Sequence, residues 1–239
     1  MEAGFSYTPL PNYDGNPGGS LPEFGILLIK IIVNLVELSS INQYFGNIDI
    51  YLLDQILKKR FHMGMKVLDA GCGEGRNLMY FLRSGFSAYG VDRDAMAIEA
   101  VQFIAASFRP DLSRDHFQVA EVENLPFEDS YFDLLISSAV LHFANNQEHF
   151  LLMFEQMLRC LKPGGILFMR MASDIGIEDK IMPENSGRYR LPDGTTRFLL
   201  TRNLLSQLER QFSFKYLEPF KTVNVDDKRC MSTLVATRQ

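Results

Sequence analysis

Val67-Leu68-Asp69-Ala70-Gly71-Cys72-Gly73-Glu74-Gly75-Arg76-Asn77 is the stretch from which the fold of this chain can be read. The apolar residues over 65–70 predict a buried strand. Glycines at alternate positions then predict a tight turn, because glycine has no Cβ to hold a ligand away from the backbone. A helix over 77–84 follows, closed by Gly85 as a left-handed cap, with its free N–H groups directed at the turn. Strand, glycine turn and helix in that order make a nucleotide-type cofactor site at the carboxyl end of a parallel sheet.

The spacing and the downstream runs narrow the choice. Gly71, Gly73 and Gly75 depart from the G-x-G-x-x-G fingerprint of pyrophosphate-binding loops, which disfavours a nicotinamide enzyme. Ala88-Tyr89-Gly90-Val91-Asp92 is a second apolar run ending in an acid. Asp92 could accept hydrogen bonds from ribose hydroxyls, or it could cap the helix that opens near Asp94. The next runs are 118–127, ending in Leu125-Pro126-Phe127, then Tyr131 to Ser138, and then Leu161-Lys162-Pro163-Gly164-Gly165-Ile166-Leu167.

These five runs, in register over residues 44–172, resemble the motifs of class I S-adenosylmethionine-dependent methyltransferases. GCGEGRN resembles in particular the tellurite-resistance type and related small-molecule methyltransferases. The resemblance implies an α/β, Rossmann-like, doubly wound seven-stranded sheet. It is mostly parallel, with a C-terminal antiparallel hairpin and helices on both faces. The implied cofactor is S-adenosyl-L-methionine, with S-adenosyl-L-homocysteine as product. The implied cofactor residues are Asp69, Gly71, Gly73, Gly75, Arg76, Asp92, Arg93, Glu121, Val122 and Ser137. Glu121 stands where the family more often has an aspartate that meets the adenine amino group. Arg76 would lie near the pocket, or pair at the surface with Glu74 or Asp94.

Methyl transfer from a sulfonium asks mainly for alignment, which can supply up to roughly 7–11 kcal/mol of the barrier. No catalytic dyad stands out. His142, just past the fourth strand, is the candidate general base if its pKa lies near the ordinary value. Otherwise it is a helix-start histidine bonded to backbone. His149 reads as a solvated side chain. Residues 172–198 match the family least and are expected to insert a substrate lid. The candidate substrate residues are Tyr44, Arg170, Arg188 and Tyr189. A guanidinium fork there would favour a carboxylate or other anion, whereas a mobile loop would balance its arginines against Asp174, Glu178 and Asp179. Tyr44 and Phe45 could cover the cofactor or serve as core aromatics.

A helix is also expected from a cap at Asn47 or Asp49 through Lys59, with Ile50, Leu53, Ile56 and Leu57 on its apolar face, and further helices over 94–108, 147–161 and 201–210. Alternating strands and helices predict a parallel sheet. The two β-rich runs over 214–225 and 229–237 predict antiparallel pairing across a short polar turn.

The 239 residues, 46% of them apolar, suit one sizeable domain over 44–239. A net charge of −5 gives no basic footprint for nucleic acid. Three cysteines without metal or disulfide spacing predict a reduced, cytoplasmic protein and no metal site. Residues 1–22, rich in Gly, Pro and Asn, read as a flexible arm with no secretory leader. An amphipathic helix is expected over 23–43. Its apolar run, 24–38, is shorter than the roughly 20 residues of a membrane span, which leaves peripheral membrane contact open. The expected partner is a small-molecule methyl acceptor, and the chain would be a monomer or homodimer. The alternative function is a non-catalytic sensor or scaffold that binds S-adenosylmethionine.

Overall fold

The computed structural model describes residues 44–239, which cluster within one compact unit. The arm expected over 1–22 and the helix expected over 23–43 lie outside the described residues.

The order of elements is α1 (Ile50–Leu57), β1 (Lys66–Ala70), α2 (Met79–Arg83), β2 (Ser87–Asp92), α3 (Ala95–Phe108), β3 (Phe117–Val119) and β4 (Phe132–Ser138). Next come α4 (Gln147–Cys160), β5 (Leu161–Ser173), β6 (Met182–Pro183), β7 (Arg188–Arg190), β8 (Thr196–Phe198) and α5 (Arg202–Gln211). The chain closes with β9 (Phe214–Tyr216), β10 (Lys221–Val225) and β11 (Arg229–Arg238). Short polar side chains start the helices where the sequence places them. Asp94, Asn146 and Thr201 accept from backbone N–H groups of Met96, His149 and Leu204.

The main sheet runs β10-β11-β5-β4-β1-β2-β3, with β9 also paired to β11. β1, β2, β3, β4 and β5 pair in parallel. β11 runs antiparallel to β5 over eight residue pairs, from Cys230 opposite Ser173 to Thr237 opposite Ile166. The chain order therefore reverses between β1 and β4, and the crevice above that switch point is where such sheets bind ligands. Two apolar layers cover the sheet. One gathers Leu68, Leu135, Phe150, Phe154 and Met169, the other Val67, Phe81, Leu134, Ile136 and Phe168.

The expectations for 214–225 and for the face of α1 need correction, and the insertion takes a definite form. The run over 214–225 is two strands, both paired to β11. The insertion over 172–198 folds into a small antiparallel sheet, β6-β7-β8, with its own apolar cluster that includes Ile177, Leu191 and Leu199. On α1, Ile50 and Leu57 are exposed, while Leu52 and Gln55 are fully buried.

Candidate active site

β1 ends at Ala70, and the backbone turns through Gly71, Gly73 and Gly75 at φ +82°, +51° and +84°. All three are left-handed conformations that glycine adopts without strain. A Cβ on Gly71 would overlap Val140, and one on Gly75 would come 2.5 Å from Val101 Cγ2. Packing therefore demands those two glycines. A Cβ on Gly73 would meet nothing within 4 Å, so Gly73 borders open space. Helix α2 starts at Met79, later than expected. Local turns, with Gly75 N–H bonded to Cys72 O and Leu78 N–H to Gly75 O, occupy the intervening residues.

That open space is part of a cavity of about 640 Å³ above the switch point. Its lining includes Gly71, Gly73, Arg76, Asp92, Arg93, Glu121 and Val122. Asp92 braces the turn and the start of the next segment, while Asp94 is the residue that caps the helix. Asp92 Oδ1 accepts from Asp94 N–H at 3.0 Å, and Asp92 Oδ2 accepts from Gly73 N–H at 2.9 Å. A carboxylate offers about four lone-pair sites, so the group keeps capacity toward the cavity. Cys72 also lines the cavity. Burial and then the Asp69 and Asp92 carboxylates push its thiol up, so it stays protonated and unreactive.

Three expected cofactor residues, Gly75, Ser137 and Asp69, are not on the wall, Gly75 being buried against Val101. Ser137 is fully buried with no hydrogen-bond partner for its Oγ among the described residues. Side chains alternate along a strand, and it is Ser138 that lines the cavity. Asp69 lies beneath the glycine turn, 1% exposed. His149, expected to be solvated, lines the same cavity, with Nε2 2.9 Å from Glu123 Oε1.

Sequence reasoning missed the hub of the site, Asp49. Its carboxylate is 2% exposed. Oδ2 accepts from Ser138 Oγ at 2.8 Å and from Arg170 Nη1 at 3.2 Å, and lies 3.8 Å from Arg76 Nη2. Its Oδ1 accepts from Tyr51 N–H at 3.0 Å, and its own N–H donates to Asn77 Oδ1 at 3.0 Å. Arg76 thus pairs with Asp49, not with Glu74 or Asp94. In the sequence Asp49 showed only a helix-capping pattern, since its partners lie as far as 121 residues away.

A second cavity, about 350 Å³, shares Ala139 and Phe143 with the first. Ala139 stands at φ +65°, a strained conformation for a residue with a Cβ. His142, Arg170, Arg197 and Arg229 line this second cavity. Burial first, then Arg197, Arg170 and Arg229, hold the His142 imidazole down at about 4. Its Nδ1 accepts from Ala172 N–H at 3.4 Å, which leaves the ring proton on Nε2. His142 is therefore a neutral hydrogen-bond donor and a poor base near pH 7.

The other expected substrate residues are elsewhere. Tyr44 bonds Ser84 Oγ at 2.8 Å and packs on Phe45 and Tyr80, so it belongs to an aromatic cluster and lines neither cavity. Arg188 lines a separate surface hollow with Glu184 and Asn185. Tyr189 packs on the apolar cluster of the small sheet. Neither faces the second cavity, because the antiparallel turn puts Leu191, Asp193 and Thr195 there instead. Among the described residues no His, Cys, Asp and Glu group could hold a metal ion, and no helix is long and apolar enough to cross a membrane.

Comparison with known proteins agrees with this architecture. A family model described as a methyltransferase domain matches residues 68–169. A malonyl-[acyl-carrier protein] O-methyltransferase of Enterobacter lignolyticus is 28% identical over 177 residues, covering 71% of this chain and 63% of that protein. Across the first relatives it matches, the chain spans 30–63% of their length. Among solved structures, TehB from Haemophilus influenzae superposes with a TM-score of 0.57 at 19% identity, covering 81% of this chain and 63% of that one. A Burkholderia thailandensis 1,6-didemethyltoxoflavin-N1-methyltransferase, solved with S-adenosylhomocysteine bound, superposes with a TM-score of 0.59 at 17% identity. That match covers 94% of this chain and 93% of that one. At such identities the superpositions speak for the fold.

Proposed function

We propose, from the premise that residues 68–169 are a methyltransferase domain of class I fold, that the protein transfers a methyl group from S-adenosylmethionine to a small-molecule acceptor. The observation that carries the reading is the pair of adjoining cavities at the switch point, one lined by the glycine turn and Asp92, the other by the insertion. Two features fit the cofactor: a glycine at φ +51° facing open space, and a carboxylate at the tip of β2 with lone pairs to spare.

Asp92 would hold the ribose hydroxyls, and exposed Glu121 the adenine amino group. Val122, 5% exposed, would form an apolar wall beside the base. S-adenosylmethionine supplies a methyl group already activated by its positive sulfur. The protein's share is alignment and exclusion of water. His142, neutral and donating, would orient the acceptor and not deprotonate it, so the acceptor's nucleophile must arrive as an anion or carry a readily lost proton. Three free, buried cysteines support a reducing, cytoplasmic setting.

The test pairs calorimetry with turnover. Wild type should bind S-adenosylhomocysteine and should consume labelled S-adenosylmethionine with a metabolite extract. Gly73→Ala puts a methyl group into the cavity at a backbone cost of about 1 kcal/mol, and affinity should fall more than tenfold. Retained affinity in this variant would overturn the placement of the cofactor. Tight binding without turnover would return the chain to a non-catalytic role.

A further inference from the structure

We infer that the second cavity binds an oxyanion of the methyl acceptor, so that the substrate is a small anionic organic molecule. This rests on the methyltransferase reading above and names the substrate class for the same site.

Three guanidinium groups reach the cavity from separate segments. Arg170 comes from β5, Arg197 from β8 and Arg229 from the start of β11. One carboxylate, Asp193, lines the cavity with them. Asp193 is already engaged, its Oδ1 accepting from Thr195 N–H at 2.9 Å and from Thr195 Oγ1 at 2.6 Å. Arg197 and Arg229 form no ion pair among the described residues. Arg197 donates to the Thr196 carbonyl at 2.8 Å and lies 5.0 Å over the Phe143 ring. Arg170 is anchored through Nη1 to Asp49, while its buried Nε has no partner among the described residues. Guanidinium groups present donors in a fixed fork that matches carboxylate and phosphate oxygens. A wall with an excess of such donors calls for an anion.

His142 sits in the same field. Burial first, and then the three arginines that line the cavity, hold its imidazole neutral. Its Nδ1 is taken by the Ala172 N–H, so it adds one more donor and no positive charge of its own. Leu191, Ala172 and Met231 supply an apolar part, which suits a carbon skeleton better than a bare ion. The volume of about 350 Å³ is near the lower end of ligand pockets, which limits the acceptor to a small molecule. The shared residues Ala139 and Phe143 put this anion site beside the space assigned to the cofactor.

The experiment is calorimetric titration of the full chain, loaded with S-adenosylhomocysteine, with succinate, inorganic phosphate and the neutral analogue succinamide. We expect succinate or phosphate to bind in the millimolar range or tighter and succinamide not to bind. Binding of succinate alone identifies a carboxylate acceptor, and binding of phosphate alone a phosphorylated one. Arg229→Gln, at an exposed position, and Arg197→Gln should each weaken anion binding at least tenfold and leave S-adenosylhomocysteine affinity within twofold. Failure of both anions to bind, equal binding of succinamide, or unchanged anion affinity in both variants would overturn the inference. Those outcomes leave the methyltransferase reading standing, whereas failure of S-adenosylhomocysteine itself to bind would sink that reading and with it the assignment of the anion to a methyl acceptor, even where the chain still binds an anion. Arg197→Lys and Arg229→Lys keep the charge and remove the fork. Partial retention of anion binding in them separates lost recognition from lost folding.

Discussion

Asp69, the penultimate residue of β1, has 1% of its surface exposed and no hydrogen bond to either carboxylate oxygen among the described residues. Burial drives its carboxyl up to about 8, against the pull of Arg76. A folded-state value above the ordinary 3.8 means that the folded protein binds the extra proton. The stability tied to that proton is full below about pH 4 and is lost as pH rises through about 8. Asp69→Asn removes the titration. The melting temperature of the variant should therefore pull ahead of wild type steadily from pH 4 to pH 8, by roughly 10 °C or more at the top of the range. A difference that stays flat across these scans would mean that Asp69 has a partner in solution. The sequence marked Asp69 as part of the site but not its burial, because one residue's parity on a strand depends on which sheet face the neighbours cover. The same limit applies to His142. Its position past β4 was legible, whereas its low pKa arises first from burial and then from arginines contributed by β5, β8 and β11.

α1 shows what a helix boundary can hide. Asp49 was readable as an N-cap, and it does cap Tyr51 N–H. The same carboxylate also joins Ser138, Arg170 and Arg76, tying the helix start to β4, β5 and the glycine turn. Asp49→Ala should cost about 3 kcal/mol, combining the lost cap with two guanidinium groups left without their acid. At about 2–4 °C per kcal/mol for a chain of this length, the melting temperature should fall by roughly 6–12 °C. Asp49→Asn keeps an acceptor for Tyr51 and should lose less, by about the 1 kcal/mol of the cap. Equal losses in the two variants would show that the cap contributes little and that the lost charge accounts for the effect. The insertion over 172–198 gave a weaker signal, since strands of two or three residues with mixed polarity carry no readable period.

Across the whole molecule, Glu218 connects distant parts of the chain. It is 8% exposed and lies between Lys58 and Lys221, each at 2.6 Å, with Arg60 at 3.2 Å. Burial opposes its charge, yet hydrogen bonds from Lys221 and Lys58 outweigh it and hold the carboxyl at about 2. A depressed value contributes stability above the ordinary 4.5 that is lost as pH falls through about 2. Glu218→Gln should lower the melting temperature near pH 7 by about 4 °C, a figure discounted for the partly exposed cations. Near pH 2 the two proteins should melt together, and a gap that persists there would exclude the ion pairs as its cause. The contact links α1 to the segment between β9 and β10, and no local pattern announces it. What the residues alone established was the alternation of strands and helices, the caps and the glycine turn, because these depend on neighbours within a few positions. Which acid governs the site, which face each strand turns inward and which arginines share a cavity were settled only when segments over a hundred residues apart came together. Those properties reside in burial and charge, and burial and charge exist only in the packed chain.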